Sequence, residues 1–161
     1  LLLNVGPYAD GSFHPNAVKT LEKIGDWLAL NGEAIYETRP YLIAAEGPTV
    51  VEDADYDTQR IAEQLDKGAA ADVRSNVLTG RDYRFTTRGE TLYVIAMGWP
   101  EEGWFHIRTL RENGPCAKKV GRVTLIGQKE PLTFIRDGEA LHVKAPERKP
   151  CDHAYVLKIE E

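Results

Sequence analysis

Tyr83-Arg84-Phe85-Thr86-Thr87-Arg88-Gly89-Glu90-Thr91-Leu92-Tyr93-Val94-Ile95-Ala96 is the stretch on which the fold turns. Two short runs rich in aromatic and β-branched residues flank Arg88-Gly89-Glu90, a tight connection in which glycine supplies a positive φ. The pattern predicts an antiparallel hairpin with strands at Asp82–Thr87 and Thr91–Gly98. The same grammar of short runs broken by Gly, Pro and charged turns recurs outward from it. Further strands are predicted near Tyr41–Ala45, Trp104–Thr109, Lys118–Ile126, Leu132–Ile135, Ala140–Lys144 and His153–Ile159, with Asp137-Gly138-Glu139 as a second glycine turn of positive φ. So many short antiparallel strands must bury one face against another sheet, and a β-sandwich satisfies that.

Upstream the period changes. Val18, Leu21, Ile24, Gly25 and Leu28 recur at helical spacing opposite Lys19, Glu22, Lys23 and Asp26, which predicts an amphipathic helix opened by His14-Pro15. Asn31-Gly32 is the predicted stop, with Gly32 in the left-handed region. Before the helix, Leu1-Leu2-Leu3-Asn4-Val5 followed by Gly6-Pro7 has the form of a short buried strand from a parallel sheet. Strand, loop and helix make one βα unit, and a buried strand with no partners nearby implies that the sequence is part of a longer protein. The chain is thus mainly β: residues 1–38 form a βα unit whose helix fits the outer layer of a barrel, and residues 39–161 an antiparallel sandwich. Within the sandwich, 57–79 breaks the β pattern and is expected to be an insertion with a helical turn.

Composition narrows the function. In 161 residues, 20 basic against 25 acidic side chains give a net charge of −5, which offers no footprint for nucleic acid. No apolar run approaches the ~20 residues of a membrane span. Cys116 and Cys151 are too few and too far apart for a zinc site; free thiols and a disulfide formed on export both stay open.

Longer matches then gather. Leu2-Leu3-Asn4-Val5-Gly6-Pro7, Asp10-Gly11, Ile24-Gly25-Asp26-Trp27-Leu28 and Asn31-Gly32-Glu33-Ala34-Ile35-Tyr36-Glu37-Thr38-Arg39-Pro40 resemble the end of the catalytic domain in family 29 glycoside hydrolases, the α-L-fucosidases. Glu46-Gly47-Pro48-Thr49, Arg84 to Tyr93, Gly98-Trp99-Pro100 and Pro150-Cys151-Asp152-His153 through Ile159 resemble its C-terminal sandwich, in collinear order. The resemblance fades over Asp57–Thr79 and Arg108–Ala117. It implies hydrolysis of terminal α-linked L-fucose with retention, by an aspartate nucleophile and a separate carboxylic acid about 5–5.5 Å apart. Both lie upstream of the matched part in that family, so no residue here inherits a catalytic role. It also implies that residues 1–38 are the last βα unit of a (β/α)8-type barrel, with a fucosylated oligosaccharide or glycoconjugate as substrate, the catalytic barrel of the same protein as partner, no cofactor, and a periplasmic, secreted or lysosomal-type location.

Asn4, near the C-terminal end of the barrel strand, either shapes the floor of the fucose pocket or satisfies neighbouring backbone groups. Trp99, Trp104 and Phe105 form either a sugar-stacking platform or sandwich core. Glu52-Asp53-Ala54-Asp55-Tyr56-Asp57 lacks the Gly and Glu of a calcium loop and is expected to be a solvated acidic segment. Glu101-Glu102 lies in a turn, with no pocket for a catalytic pair. His14, His106, His142 and His153 have no ligand spacing, so no metal site is expected. Three roles for the sandwich follow: support of the barrel, carbohydrate binding, or homo-oligomerisation through an exposed edge strand.

Overall fold

The computed structural model describes residues 5–49, 78–114, 116 and 119–161. The expected strand up to Leu3-Asn4, the acidic segment Glu52–Asp57 and the insertion up to residue 77 lie outside the described residues.

Helix α1 runs Pro15–Asn31, 17 residues, as the apolar period predicts. His14 caps it: its Nδ1 accepts from the Asn16 N–H at 3.1 Å, and Pro15 follows where its missing N–H has no intrahelical partner to lose. The predicted stop differs. Gly32 is right-handed (φ −58°, ψ −24°) and leads into a 3-10 turn, Gly32–Ala34. The exposed Tyr36 ring rests in the space the glycine leaves, where a Cβ would lie 2.7 Å from it.

Eight antiparallel strands follow among the described residues. β1 (Arg39–Glu46), β2 (Tyr83–Arg88), β3 (Thr91–Ala96), β5 (Arg122–Leu125) and β8 (Tyr155–Glu160) make a five-stranded sheet in the order β1-β2-β3-β8-β5. β4 (Trp104–Ile107), β6 (Phe134–Arg136) and β7 (Leu141–Lys144) make a smaller sheet in the order β4-β7-β6. The deciding hairpin forms as predicted, with Arg88 opposite Thr91 and Gly89 at φ +57°. The second turn does not use glycine in that way. Gly138 stays out of the left-handed region, and the Asp137 carboxylate holds the turn by accepting from the Glu139 and Ala140 N–H groups at 2.8 and 3.0 Å. β4 ends two residues early because Arg108–Leu110 winds into a 3-10 turn.

The packing has three layers. Phe85, Leu92, Val94 and Leu157 of the large sheet meet Phe105, Ile107, Leu141 and Val143 of the small one in a fully closed core. On the other face of the large sheet, Tyr93, Ile95 and Val156 meet Ala34 and Trp27. Trp27 Nε1 donates to the Ala154 carbonyl at 2.8 Å, which fixes α1 to β8's approach. Cys116 and Cys151 are free thiols.

Candidate functional site

Asn4 lies outside the described residues. The three aromatic candidates are separated by the two-residue period of β4. Phe105 points into the core at 0% exposure, so neither of its faces is open to a sugar. This corrects the expectation of a three-ring platform. Trp99 is half-buried and edge-packed against Phe105 at 5.7 Å and Tyr155 at 4.7 Å, with the Lys149 ammonium 5.7 Å from its ring centre. Trp104 is half-buried on the outer face of the small sheet, outside both core clusters.

Trp99 and Trp104 nevertheless border one cleft of about 420 Å³ with Arg81, Glu102, His106 and Tyr83. Arg81 Nη2 meets Glu102 Oε1 at 3.1 Å on its exposed rim. Glu102 faces solvent as its turn position predicts, but Glu101 and Glu102 both border this cleft, which corrects the expectation that the turn has no pocket beside it. Tyr83 accepts the His106 N–H at 3.0 Å, and burial pushes its phenol up to about 12, so it stays protonated. Gly80 also lines the cleft, and a Cβ there would meet the Trp99 carbonyl oxygen at 2.6 Å.

Two of the four scattered histidines meet here. His106 and His142 face each other across β4 and β7, Nδ1 to Nδ1 at 2.7 Å, and His142 Nε2 lies 3.1 Å from Asp137 Oδ2. One Nδ1 must donate and the other accept, so the contact excludes two protonated rings. Burial and then the neighbouring His142 hold His106 below the ordinary histidine range. Hydrogen bonds from Ala140 and Glu139 hold Asp137 below the ordinary carboxylate range. Among the described residues no group of three or more ligating side chains is placed to hold a metal ion.

Two carboxylates that sequence reasoning passed over organise the surroundings. Asp82 is fully buried and accepts four hydrogen bonds, from N–H and Oγ1 of both Thr49 and Thr79, at 2.8–3.0 Å. Burial raises its pKa, but those bonds outweigh it and leave the carboxyl below the ordinary range. Glu46 accepts the Arg108 and Thr109 N–H groups at 2.6 Å each, capping the 3-10 turn after β4. The signal for Glu46 was its place in Glu46-Gly47-Pro48-Thr49; for Asp82 a lone acid at a strand start gave none.

On the opposite side of the molecule an apolar groove of about 780 Å³ separates α1 from the large sheet, lined by Ile24, Trp27, Ile35, Ile95 and Met97. Val18 and Leu21 of the predicted apolar face remain exposed beside it.

Known proteins resemble the chain along nearly its whole length. The family profile described as the α-L-fucosidase C-terminal domain matches residues 76–160, and one described as α-L-fucosidase matches residues 1–33. An α-L-fucosidase of Branchiostoma floridae is 25% identical over 99% of this chain and 29% of its own length. Tissue α-L-fucosidase of Homo sapiens is 24% identical over 98% of this chain and 27% of its own length. Among solved structures, Thermotoga maritima α-fucosidase in complex with a mechanism-based inhibitor superposes with a TM-score of 0.68 at 23% identity, covering 99% of this chain and 30% of that one. The chain therefore spans less than a third of the length of these relatives.

Proposed function

This chain belongs to the α-L-fucosidase C-terminal domain family, and from that premise we propose that it is the C-terminal segment of an enzyme that hydrolyses terminal α-L-fucosyl linkages with retention. Residues 1–38 complete the catalytic barrel, residues 39–161 form the supporting sandwich, and the two catalytic carboxylates belong to the barrel outside this chain. The observation that carries the reading is the double allegiance of α1. One side of the helix is tied to the sandwich through Trp27 and Ala154, while Val18 and Leu21, on the apolar face that the sequence predicts to be buried, lie open at 38% and 37% exposure. A helix with apolar residues on two sides belongs between two layers. The apolar groove beside it would then be covered by the rest of the barrel.

The test is an aryl α-L-fucoside assay on the full-length parent and on this chain, with the first-formed anomer followed by proton NMR. The expected result is turnover with an α-fucose product in the parent and none in this chain. An inactive parent, or β-fucose as first product, overturns the proposal or its stereochemistry respectively.

A further inference from the structure

We propose that the cleft between Trp104 and the Arg81–Glu102 pair is a non-catalytic binding subsite for a neutral pyranose residue of an oligosaccharide. The starting point is the place of Trp104. On β4 the inward positions are Phe105 and Ile107, both fully buried, so Trp104 and His106 share the outward face. The residues opposite them on β7 are Lys144 and His142. A tryptophan set among lysine and histidine on an outward face, outside both core clusters, is not accounted for by core packing.

The walls supply the remaining chemistry. A sugar ring presents one apolar face of C–H groups and an edge of hydroxyls that both donate and accept. Trp104 offers a flat apolar surface for the first. For the second, Arg81 offers donors and Glu102 acceptors, held at 3.1 Å from each other and exposed by 75% and 69% on their side chains. Their charges cancel, which favours a neutral ligand over a phosphate or a uronic acid. His106 has its Nδ1 occupied by His142, which leaves Nε2 as its other hydrogen-bonding atom. The volume of about 420 Å³ lies within the range of about 300–1,000 Å³ usual for small-ligand sites.

Location decides that such a site is usable. The small sheet is the layer farthest from α1, on the other side of the large sheet, so a barrel packed on the helix leaves the cleft free. The inference rests on the fucosidase reading only for the identity of the glycan, and extends that reading to a second contact with the same glycans.

The test uses the 161-residue chain and the indole N–H resonances of its three tryptophans. Trp27, hydrogen-bonded to Ala154 on the helix side, is an internal control. Titration with a fucosylated trisaccharide, and separately with its fucose-free disaccharide, is expected to move the Trp104 resonance and leave Trp27 in place. A shift with the trisaccharide alone makes the fucose the bound ring; a shift with both makes it a core sugar. Trp104→Ala is expected to abolish the saccharide-dependent shifts at Trp99. Should that variant unfold, Arg81→Ala combined with Glu102→Ala removes only exposed side chains and is expected to weaken binding at least about tenfold, the equivalent of one hydrogen bond to a charged group. No shift at about 10 mM saccharide, where a site of about 1 mM affinity would be nine-tenths full, overturns the proposal. So does binding that survives the double variant unchanged. Because these outcomes are read without hydrolysis, an inactive parent enzyme would leave them standing, and an empty cleft would leave the hydrolysis assay untouched.

Discussion

Asp82→Asn changes one atom of a buried carboxyl and should lower stability by about 2–4 kcal/mol. The carboxylate accepts three donors on Oδ2, from Thr49 Oγ1, Thr79 N and Thr79 Oγ1, and one on Oδ1, from Thr49 N. The threonine hydroxyls can turn and accept instead, but the two amide N–H groups cannot. An asparagine amide must set its NH2 against at least one of them. The better orientation keeps its carbonyl at the Oδ2 position and strands the Thr49 N–H, an unpaired buried donor at about 1–3 kcal/mol. The three surviving bonds lose their charge assistance, which adds a further part. At roughly 2–4 °C per kcal/mol for a chain of this size, the thermal midpoint should fall by about 10 °C. The pH dependence gives a second check. Asp82 is held below the ordinary carboxylate range in the fold, so its contribution is complete above the unfolded value of about 3.9 and is lost as pH falls through the lower folded value. The gap between wild type and Asp82→Asn, measured by urea denaturation, should therefore narrow only in that acid window. A variant within about 0.5 kcal/mol of wild type at neutral pH would refute the account, because it would mean that the four short contacts carry no net energy.

Gly80→Ala should lower stability by about 1–3 kcal/mol, seen in the thermal midpoint, because its Cβ would press on the Trp99 backbone at 2.6–2.8 Å, which cannot yield as a side-chain tip can. Trp27→Phe keeps most of the apolar contact but leaves the Ala154 carbonyl without its donor; a loss of about 1–2 kcal/mol in urea denaturation is expected, and loss of less than about 0.3 kcal/mol would mean water replaces the indole. His106 titrates below the ordinary histidine value of about 6.5, so stability held above that value should decline as pH falls through the folded value. His142→Gln removes the second-largest cause of the depression, and NMR titration of His106 should report an upward move in that variant.

The β architecture was legible because alternation and turn chemistry are local. The hairpin around Gly89 needed no information from elsewhere. Glycine was the ambiguous letter: Gly89 serves a positive φ, Gly32 makes room for the Tyr36 ring, and the turn at Gly138 is held by the Asp137 carboxylate instead. Sequence shows that a side chain is missing, and only the packed neighbours show why. The pairing of Trp104 with Phe105 in one platform ignored a signal that was present, since neighbours in a strand face opposite ways. The meeting of His106 and His142 was of a different kind. It depends on the register of β4 against β7 across a separation of 36 residues, and one residue of slip would have turned one ring into the core. Asp82 was silent for the same reason, its partners Thr49 and Thr79 being drawn together from 33 and 3 residues away.

The two sides of the molecule differ in a way that bears on how family membership and binding relate. Around α1 the surface is apolar, with Val18 and Leu21 exposed and the neighbouring groove lined by Ile24, Ile35, Ile95 and Met97; an aqueous face of that size calls for cover. The outer face of the small sheet carries Lys144, His106 and His142, which tolerate water, one exposed aliphatic side chain, Ile135, and a single large aromatic that the core does not use. The hydrogen bonds of the Glu46-Gly47-Pro48-Thr49 motif are internal to the scaffold: the Glu46 carboxylate accepts from two amides after β4, and Thr49 donates to the buried Asp82 carboxylate. Motifs of that kind secure a scaffold and would persist whatever the outer face bound. The proposed saccharide contact is therefore to be sought in Trp104, Arg81 and Glu102, which lie outside both core clusters.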